Sequence, residues 1–223
     1  IFGESGVGKT FAVFDYIHKR IEADADFTPI FIALSDWIPQ KSLTNWTVNK
    51  ASKIYHLDKD HLGTGLDKGI FFPIFDGLDR VKDEHILPLF ESLMKMASRT
   101  PMAIVMKTET YQKLHREYTD VDAFWKLPFH LIELKTLKPK LVESILTENG
   151  DHQKLEIFRS NPKFKFLCRY PIFLNLLAGM DSKFIKENLG THKVSHEQFF
   201  NQIWKWYELK MFGSPNFPIS KKK

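Results

Sequence analysis

The chain has 223 residues, of which 43% are hydrophobic, and a formal net charge of +5. This length allows one α/β domain of ordinary size and a small helical extension. No apolar run approaches the roughly 18 residues that a membrane span requires, and the glycine-rich start is unlike a signal peptide. The composition therefore predicts a globular chain without a membrane span.

The single cysteine and the distribution of charge restrict the class of protein further. Cys168 has no partner for an internal disulfide, which is typical of a reducing compartment, so we expect a cytoplasmic location. Much of the positive excess comes from the lysines at 221–223, and such a tail is usually solvated. The basic charge alone therefore does not indicate nucleic-acid binding.

The first motif is the loop GESGVGKT at residues 3–10. Gly3, Gly8, Lys9 and Thr10 have the spacing G-x-x-x-x-G-K-[ST], in which backbone N–H groups surround phosphates, the lysine reaches the outer ones and the hydroxyl binds Mg²⁺. Glycines permit the tight turn, and a helix that begins at Lys9 directs the positive end of its dipole at the same anion. The loop predicts a phosphate site, and a chance glycine-rich turn is the alternative.

The motif requires a strand before the loop and a helix after it. Phe11, Val13, Phe14 and Ile17 recur at helical spacings and predict the helix. Only Ile1 and the next residue are left for the strand. We therefore expect the chain to be part of a longer protein, with its first core strand truncated.

Strands and helices are predicted to alternate from there to about residue 136. The sequence predicts a strand over 28–35, a helix over 42–55 and a loop at the glycines 63, 65 and 69. Pro73 cannot donate to a strand ladder, so the next strand is placed mainly at Ile74 and Phe75.

A helix is predicted over 83–98, its start blurred by Pro88, and further strands over 102–108 and 129–134. Near-continuous apolar strands that alternate with helices favour a parallel sheet covered on both faces.

After about residue 136 the sequence predicts helices only. They are expected over 138–149 and 170–180, the second with Pro171 near its first turn, and in a final helix that opens with a capping box of Ser195 and Gln198. The aromatic residues of that final helix are interpreted as core rather than as a ligand site. The predicted organisation is a nucleotide-binding domain over 1–136 and a helical subdomain over 137–223.

Two carboxylates follow the strand around residue 75. Asp76 ends an apolar strand, where it could reach a metal held by Thr10, most plausibly through a water, and Asp79 could polarise the water that attacks a γ-phosphate. A simple Asp-Gly turn is the alternative for this pair. Lys107, at the end of a later strand, is placed to sense the γ-phosphate, although a lysine that leaves a strand is often only solvated.

These segments together resemble the NACHT domain of the STAND class of P-loop NTPases, which are relatives of AAA+ proteins. The resemblance is carried by GESGVGKT, FFPIFDGLD, AIVMKT, CRYPIFLNLL and HEQFFNQIWKWY, and it spans most of the chain. It implies a three-layer α/β P-loop fold with a parallel sheet and a small all-helical subdomain. Two positions depart from the family: Arg80 stands where a second acid is common, and Lys107 where an arginine is commoner.

The resemblance also implies a nucleotide site and a regulatory role. Lys9, Asp76 and Asp79 would be the catalytic residues, and Thr10 with Asp76 would bind Mg²⁺. ATP or ADP would be held by the glycine-rich loop and the residue after it, by Lys107 and by Pro171. In the family, the proline that corresponds to Pro171 touches the adenine. The alternative for Pro171 is a proline that merely starts a helix. The loop set is Gly3, Glu4, Ser5, Gly6, Val7, Gly8, Lys9, Thr10 and Phe11.

In such proteins, exchange of ADP for ATP favours an open arrangement that forms a homo-oligomer and brings effector domains together. Immune defence and programmed cell death are typical roles. The effector and sensor domains that usually flank the module are expected outside this chain.

Three hypotheses follow. The first is a slow ATPase that acts as a regulatory switch, and the second is a nucleotide-binding assembly scaffold without hydrolysis, which Arg80 favours and Asp79 disfavours. The third, a P-loop kinase or a DNA-remodelling motor, is weakened because no acceptor-binding lid and no basic stripe interleaved with aromatic residues is evident.

Overall fold

The computed structural model describes residues 1–23, 26–39, 42–117 and 130–188, together with residues 201, 203, 205 and 206. The chain divides into two compact units, Ile1–Lys135 and Thr136–Lys223. Among the described residues, the first unit contains two hydrophobic clusters and the second unit contains one. Among the described residues, no helix is long and apolar enough to cross a membrane.

The first unit is an α/β structure around a five-stranded sheet in which every strand pair is parallel. The strand order is β2-β3-β4-β1-β5. The strands are β1 (Phe2–Gly3), β2 (Thr28–Ala33), β3 (Phe71–Asp76), β4 (Ala103–Lys107) and β5 (Glu133–Leu134). The predicted α/β class with a parallel sheet is therefore confirmed.

Five helices belong to the described part of this unit, and a short 3₁₀ turn (Leu78–Arg80) follows β3. The helices are α1 (Lys9–Glu22), α2 (Leu43–Tyr55), α3 (Lys59–Asp67), α4 (Asp83–Ala97) and α5 (Thr108–Glu117). Parallel strands need long crossover connections, and these helices provide them.

Side chains of the central strands alternate between two hydrophobic clusters. Ile30 and Ile32 of β2 lie in a cluster with residues of α2, α3 and α4, whereas Phe31 packs in a second cluster with Val13 of α1. In β3, Phe75 belongs to the first cluster and Ile74 to the second. Since both clusters are buried, the strands are apolar on both faces, as a parallel sheet requires. Each large side chain buried in this way stabilises the fold by about 1.5–3 kcal/mol.

The predicted start of β3 was wrong. The strand begins at Phe71 and includes Pro73, which is aligned with Ile30 of β2. Pairing of β3 with β4 begins only at Ile74, so on that side Pro73 has no ladder hydrogen bond to lose.

The predicted loop was wrong for Gly63 and Gly65, which lie inside α3, whereas Gly69 does lie in the turn after this helix. The helix starts at a cap, where the Asp58 carboxylate accepts a hydrogen bond from the His61 backbone N–H at 2.9 Å. Gly65 is required by packing: a Cβ on it would lie 2.5 Å from the Phe71 ring. Helix propensity was overridden here by tertiary packing.

Helix α4 begins at Asp83, and Pro88 lies inside it, so the proline does not determine where the helix starts. Because a proline lacks its N–H, the helix loses one hydrogen bond near its first turn while the rest continues to Ala97. One other prediction changed in extent, since strand β5 covers only the last two residues of the predicted 129–134. The predicted helix α1 is present, and its Phe11 and Phe14 are exposed.

The second unit is helical over its described residues. The helices are Pro139–Glu148, His152–Ser160, Pro162–Leu167, Pro171–Ala178 and Ser182–Asn188. Lys154 is buried in this unit, and its Nζ donates to Asp151 Oδ2 and to the Ala178 carbonyl, both at 2.9 Å. Ile203 of the predicted final helix is helical and buried in the core, whereas the predicted cap at Ser195 and Gln198 lies outside the described residues.

Candidate functional site

The glycine-rich loop connects the end of β1 to the start of α1, as the motif predicts. Gly6 and Gly8 have φ angles of 80° and 89°, in the left-handed region that favours glycine. Gly8 is the N-cap of α1, and its carbonyl accepts the first helical bond from Ala12 N–H at 2.8 Å. The loop is therefore set by its glycines to end at a helix N-terminus, where unpaired N–H groups suit an anion.

Gly3 has a packing role that the motif alone does not reveal. A Cβ at this position would lie 2.5 Å from the Leu134 carbonyl oxygen and 2.9 Å from Val7 Cγ2. Val7 itself is buried, at 6% exposure, so its side chain packs inside the loop and is not available to a ligand. Glu4 and Ser5, in contrast, are exposed.

Lys9 folds back on the loop that precedes it. Its Nζ donates to the Gly3 carbonyl at 2.9 Å and to the Glu4 carbonyl at 2.8 Å. Partial burial lowers the pKa of Lys9, and the charges of Asp79 and Asp76 oppose that effect. The ammonium group thus links both ends of the loop and lies in the field of two carboxylates.

Thr10, at the start of α1, and Asp76, at the end of β3, are in contact. Thr10 Oγ1 donates to Asp76 Oδ2 at 3.4 Å, and Asp76 is the last residue of β3, with only 6% exposure. Burial raises the pKa of the Asp76 carboxyl, while the Arg80 charge and the Thr10 hydroxyl act in the opposite direction. A hydroxyl and a carboxylate are hard oxygen ligands, and Mg²⁺ commonly binds one or two such protein groups together with phosphate oxygens. The donor set fits Mg²⁺ with a nucleotide. Among the described residues, no cluster of three or more His, Cys, Asp or Glu side chains could hold a metal by itself.

Asp79 and Lys107 form an ion pair beside this site. Gly77, with a φ of 82°, turns the chain after β3, and Asp79 lies in the short turn that follows. Lys107 ends β4, and its Nζ lies 3.5 Å from Asp79 Oδ2. The Asp79 side chain is only 10% exposed, against 42% for Lys107. Lys107 is therefore paired with a carboxylate, not merely solvated.

A cleft of about 310 Å³ lies next to this ion pair. The residues that line the cleft are Asp79, Val81, Asp83, Ile86, Lys107, Glu109, Thr110 and Lys113. Two of them form a second ion pair, in which Lys113 Nζ lies 2.8 Å from Asp83 Oδ2. The Asp79–Lys107 ion pair therefore forms part of the wall of this cleft.

Phe11 and Pro171 are two further residues that the sequence predicts to contact the nucleotide. Phe11, in the first turn of α1, is 74% exposed and packs in none of the described hydrophobic clusters. Pro171 belongs to the second unit, where it is the first residue of the helix Pro171–Ala178. A proline suits that position because its missing N–H has no helical partner there. An adenine contact by Pro171 stays a prediction.

Neither the comparison with protein-family models nor that with curated proteins gives a match. The function of this site must therefore be inferred from its residues and their geometry.

Proposed function

We propose that the chain is a P-loop nucleotide-binding module of the NACHT type, which binds ATP or ADP with Mg²⁺ and switches oligomerisation and signalling between two states. The observation that carries the proposal is the approach of Thr10 Oγ1 to Asp76 Oδ2, at 3.4 Å, beside a glycine-rich loop that ends at a helix N-terminus. The parallel sheet is compatible with a three-layer P-loop NTPase, and the first unit would then be its nucleotide-binding domain.

Each residue of the site has a role in this proposal. The backbone N–H groups of the loop and the Lys9 ammonium would bind phosphate oxygens, and Thr10 with Asp76 would hold the metal. When bound, Mg²⁺ would neutralise charge on the terminal phosphates and orient them. Asp79 follows Asp76 by three residues and provides a second carboxylate, which would orient and polarise a water molecule.

Regulation requires that the two nucleotides bind the two states with different affinities, since a ligand that binds both equally shifts nothing. Lys107 is the residue of the first unit best placed to produce such a difference. Its side chain is 42% exposed and its Nζ lies 3.5 Å from Asp79 Oδ2, so its ammonium group would be accessible to an additional phosphate. A triphosphate would compete with Asp79 for Lys107, and a diphosphate would do so less.

A second candidate function is a nucleotide-binding assembly scaffold that does not hydrolyse ATP. Arg80 favours it, because a cation stands at the position next to Asp79 where a second acid would assist water. Asp79 disfavours it, since its carboxylate is present and lines the accessible cleft.

Phosphate release from Mg²⁺–ATP separates the two candidates. For the hydrolysing switch we expect slow release by the wild type, a loss of release without loss of ATP binding in Asp79→Ala, and a loss of binding in Lys9→Ala. The exposed Asp15→Ala, which removes the same charge from α1, is the matched control. Tight binding without release above the Lys9→Ala background would favour the scaffold instead.

A further inference from the structure

Arg80 lies against the residue that follows Asp76. A Cβ placed on Gly77 would be 3.0 Å from Arg80 Cδ and 3.3 Å from its Nε, so the arginine side chain crosses directly over Gly77. Gly77 is buried and directly follows Asp76, whereas Arg80 is exposed. The Arg80 side chain thus packs beside the residue next to Asp76 and remains open to solvent. Of the charged groups around Asp76, Arg80 acts most strongly on the pKa of that carboxyl and lowers it.

The three cations of the site differ in what they bind. Lys9 donates to two carbonyls of its own loop, and Lys107 is paired with Asp79. Arg80, within the part of the chain that the structure describes, has no carboxylate within 4.0 Å of its guanidinium. Among the described residues, Arg80 is thus the cation of the site whose side chain is engaged neither by loop carbonyls, as Lys9 is, nor by a carboxylate, as Lys107 is.

We infer that Arg80 is a phosphate-binding residue of this site, and that its charge allows the chain to bind nucleoside di- and triphosphates without Mg²⁺. The inference rests on the proposed nucleotide site and specifies its metal requirement. A guanidinium presents several N–H donors in a planar fork that matches phosphate oxygens. Asp76 by itself would repel a phosphate, and Mg²⁺ would have to offset that repulsion. Arg80 offsets part of this repulsion at all times, because it is a residue of the chain, three positions beyond Gly77, and cannot dissociate as Mg²⁺ can.

The test is titration calorimetry of ADP into the whole chain, once with Mg²⁺ and once with EDTA. The quantity compared is the ratio of the Kd in EDTA to the Kd in Mg²⁺. We expect a small ratio for the wild type and an increase of about tenfold in Arg80→Gln, since a hydrogen bond to a charged group is lost. The increase should be larger in Arg80→Glu, which adds repulsion. Arg80→Lys keeps the charge and should keep most of the wild-type ratio.

Lys82→Gln is the matched control, because it removes one exposed positive charge two positions further on. An unchanged ratio in Arg80→Gln, or an equal increase in Lys82→Gln, would overturn the inference. So would a wild type that binds ADP only with Mg²⁺, and these results leave the nucleotide site intact. A wild type that binds ADP under neither condition would instead contradict the proposed function. A thermal melt of each variant identifies one that does not fold. If Arg80→Gln does not fold, Arg80→Glu decides the matter, because an unchanged ratio in that variant would also overturn the inference.

Discussion

The hydroxyl of Thr10 lies 3.4 Å from a carboxylate oxygen of Asp76, although the two residues are 66 positions apart in the chain. Thr10 is the second residue of α1, and Asp76 is the last residue of β3. Two separate elements thus bring two hard oxygen ligands to one edge of the sheet. Burial disfavours the charged form of Asp76, so the fold by itself gains little from this carboxylate. A bound cation would explain why it is there.

Thr10→Val tests whether the hydroxyl serves a metal. Valine has nearly the same shape and lacks the oxygen, so we expect the Kd of ADP in Mg²⁺ to rise about tenfold, with a smaller change in EDTA. Thr10→Ser restores the hydroxyl and should restore the affinity. Both are measured by titration calorimetry. An equal loss with and without Mg²⁺ would mean that Thr10 acts on the phosphates or on the loop, not on the metal.

Asp76→Asn is expected to stabilise the protein in EDTA at pH 7. Burial raises the pKa of Asp76 in the folded state above its ordinary value of 3.8, so the folded state holds the proton more tightly. The resulting stability is complete below pH 3.8 and is lost as the pH rises through the raised pKa. The amide cannot ionise, and it can still accept the Thr10 hydrogen bond. Urea unfolding of both proteins should therefore show an advantage for Asp76→Asn at pH 7 that shrinks toward pH 4.

A lower stability of Asp76→Asn at pH 7 would contradict this electrostatic account. The same variant should also lose the increase in ADP affinity that Mg²⁺ gives to the wild type. The combination of higher stability and lower metal-dependent affinity is typical of a binding residue that the fold tolerates at a cost.

The two glycines within α3 should respond in opposite directions to alanine. Gly63 has open space where a Cβ would be, so Gly63→Ala should raise the free energy of unfolding by about 0.5–1 kcal/mol through helix propensity. Gly65→Ala would place a Cβ 2.5 Å from the Phe71 ring and should lower it by about 1–3 kcal/mol. Urea denaturation of the pair measures both. Equal effects of the same sign would mean that α3 does not pack on β3 in this way.

The sequence predicted the sheet but not α3 or the full length of β3, and the reason is physical. A strand or amphipathic helix is visible because apolar residues repeat along it, as in β2 and α1. Gly65 and Pro73 are local breakers whose positions are explained by the packing of neighbouring elements: the Phe71 ring of β3 occupies the space beside Gly65, and β4 does not extend to pair with Pro73. Local patterns contain no information about such partners.

For the candidate site, the sequence predicted which elements carry the loop and the Asp76 carboxylate. It did not predict the contacts that the cations Lys107 and Arg80 make. The spacing of Gly8, Lys9 and Thr10 is a local property, and so was predictable. The pairing of Lys107 with Asp79, and the position of Arg80 over Gly77, depend on side-chain directions at the ends of two strands. No spacing rule gives those directions, so the sequence alone does not distinguish a phosphate-sensing Lys107 from a solvated one.

Cys168 should be unreactive in the folded protein. It is completely buried in the helical unit, and burial raises the pKa of its thiol to about 12. Since the thiolate is the reactive form, we expect labelling by Ellman's reagent at pH 8 to be at least about a hundredfold slower than in urea. The absorbance of the released thiol measures the rate. Rapid, stoichiometric labelling without denaturant would show that the second unit opens readily.

The measurement that tests the central claim most directly is equilibrium binding of ADP, with Mg²⁺ present, to the wild type and to Lys9→Ala. Lys9 is the cation fixed between the two ends of the loop, so its loss should weaken binding by at least about a hundredfold. Lys19→Ala, which removes an exposed lysine of the same helix, should bind like the wild type. If the wild type binds no ADP, or if Lys9→Ala binds as tightly, the loop is not a nucleotide site and the account is wrong.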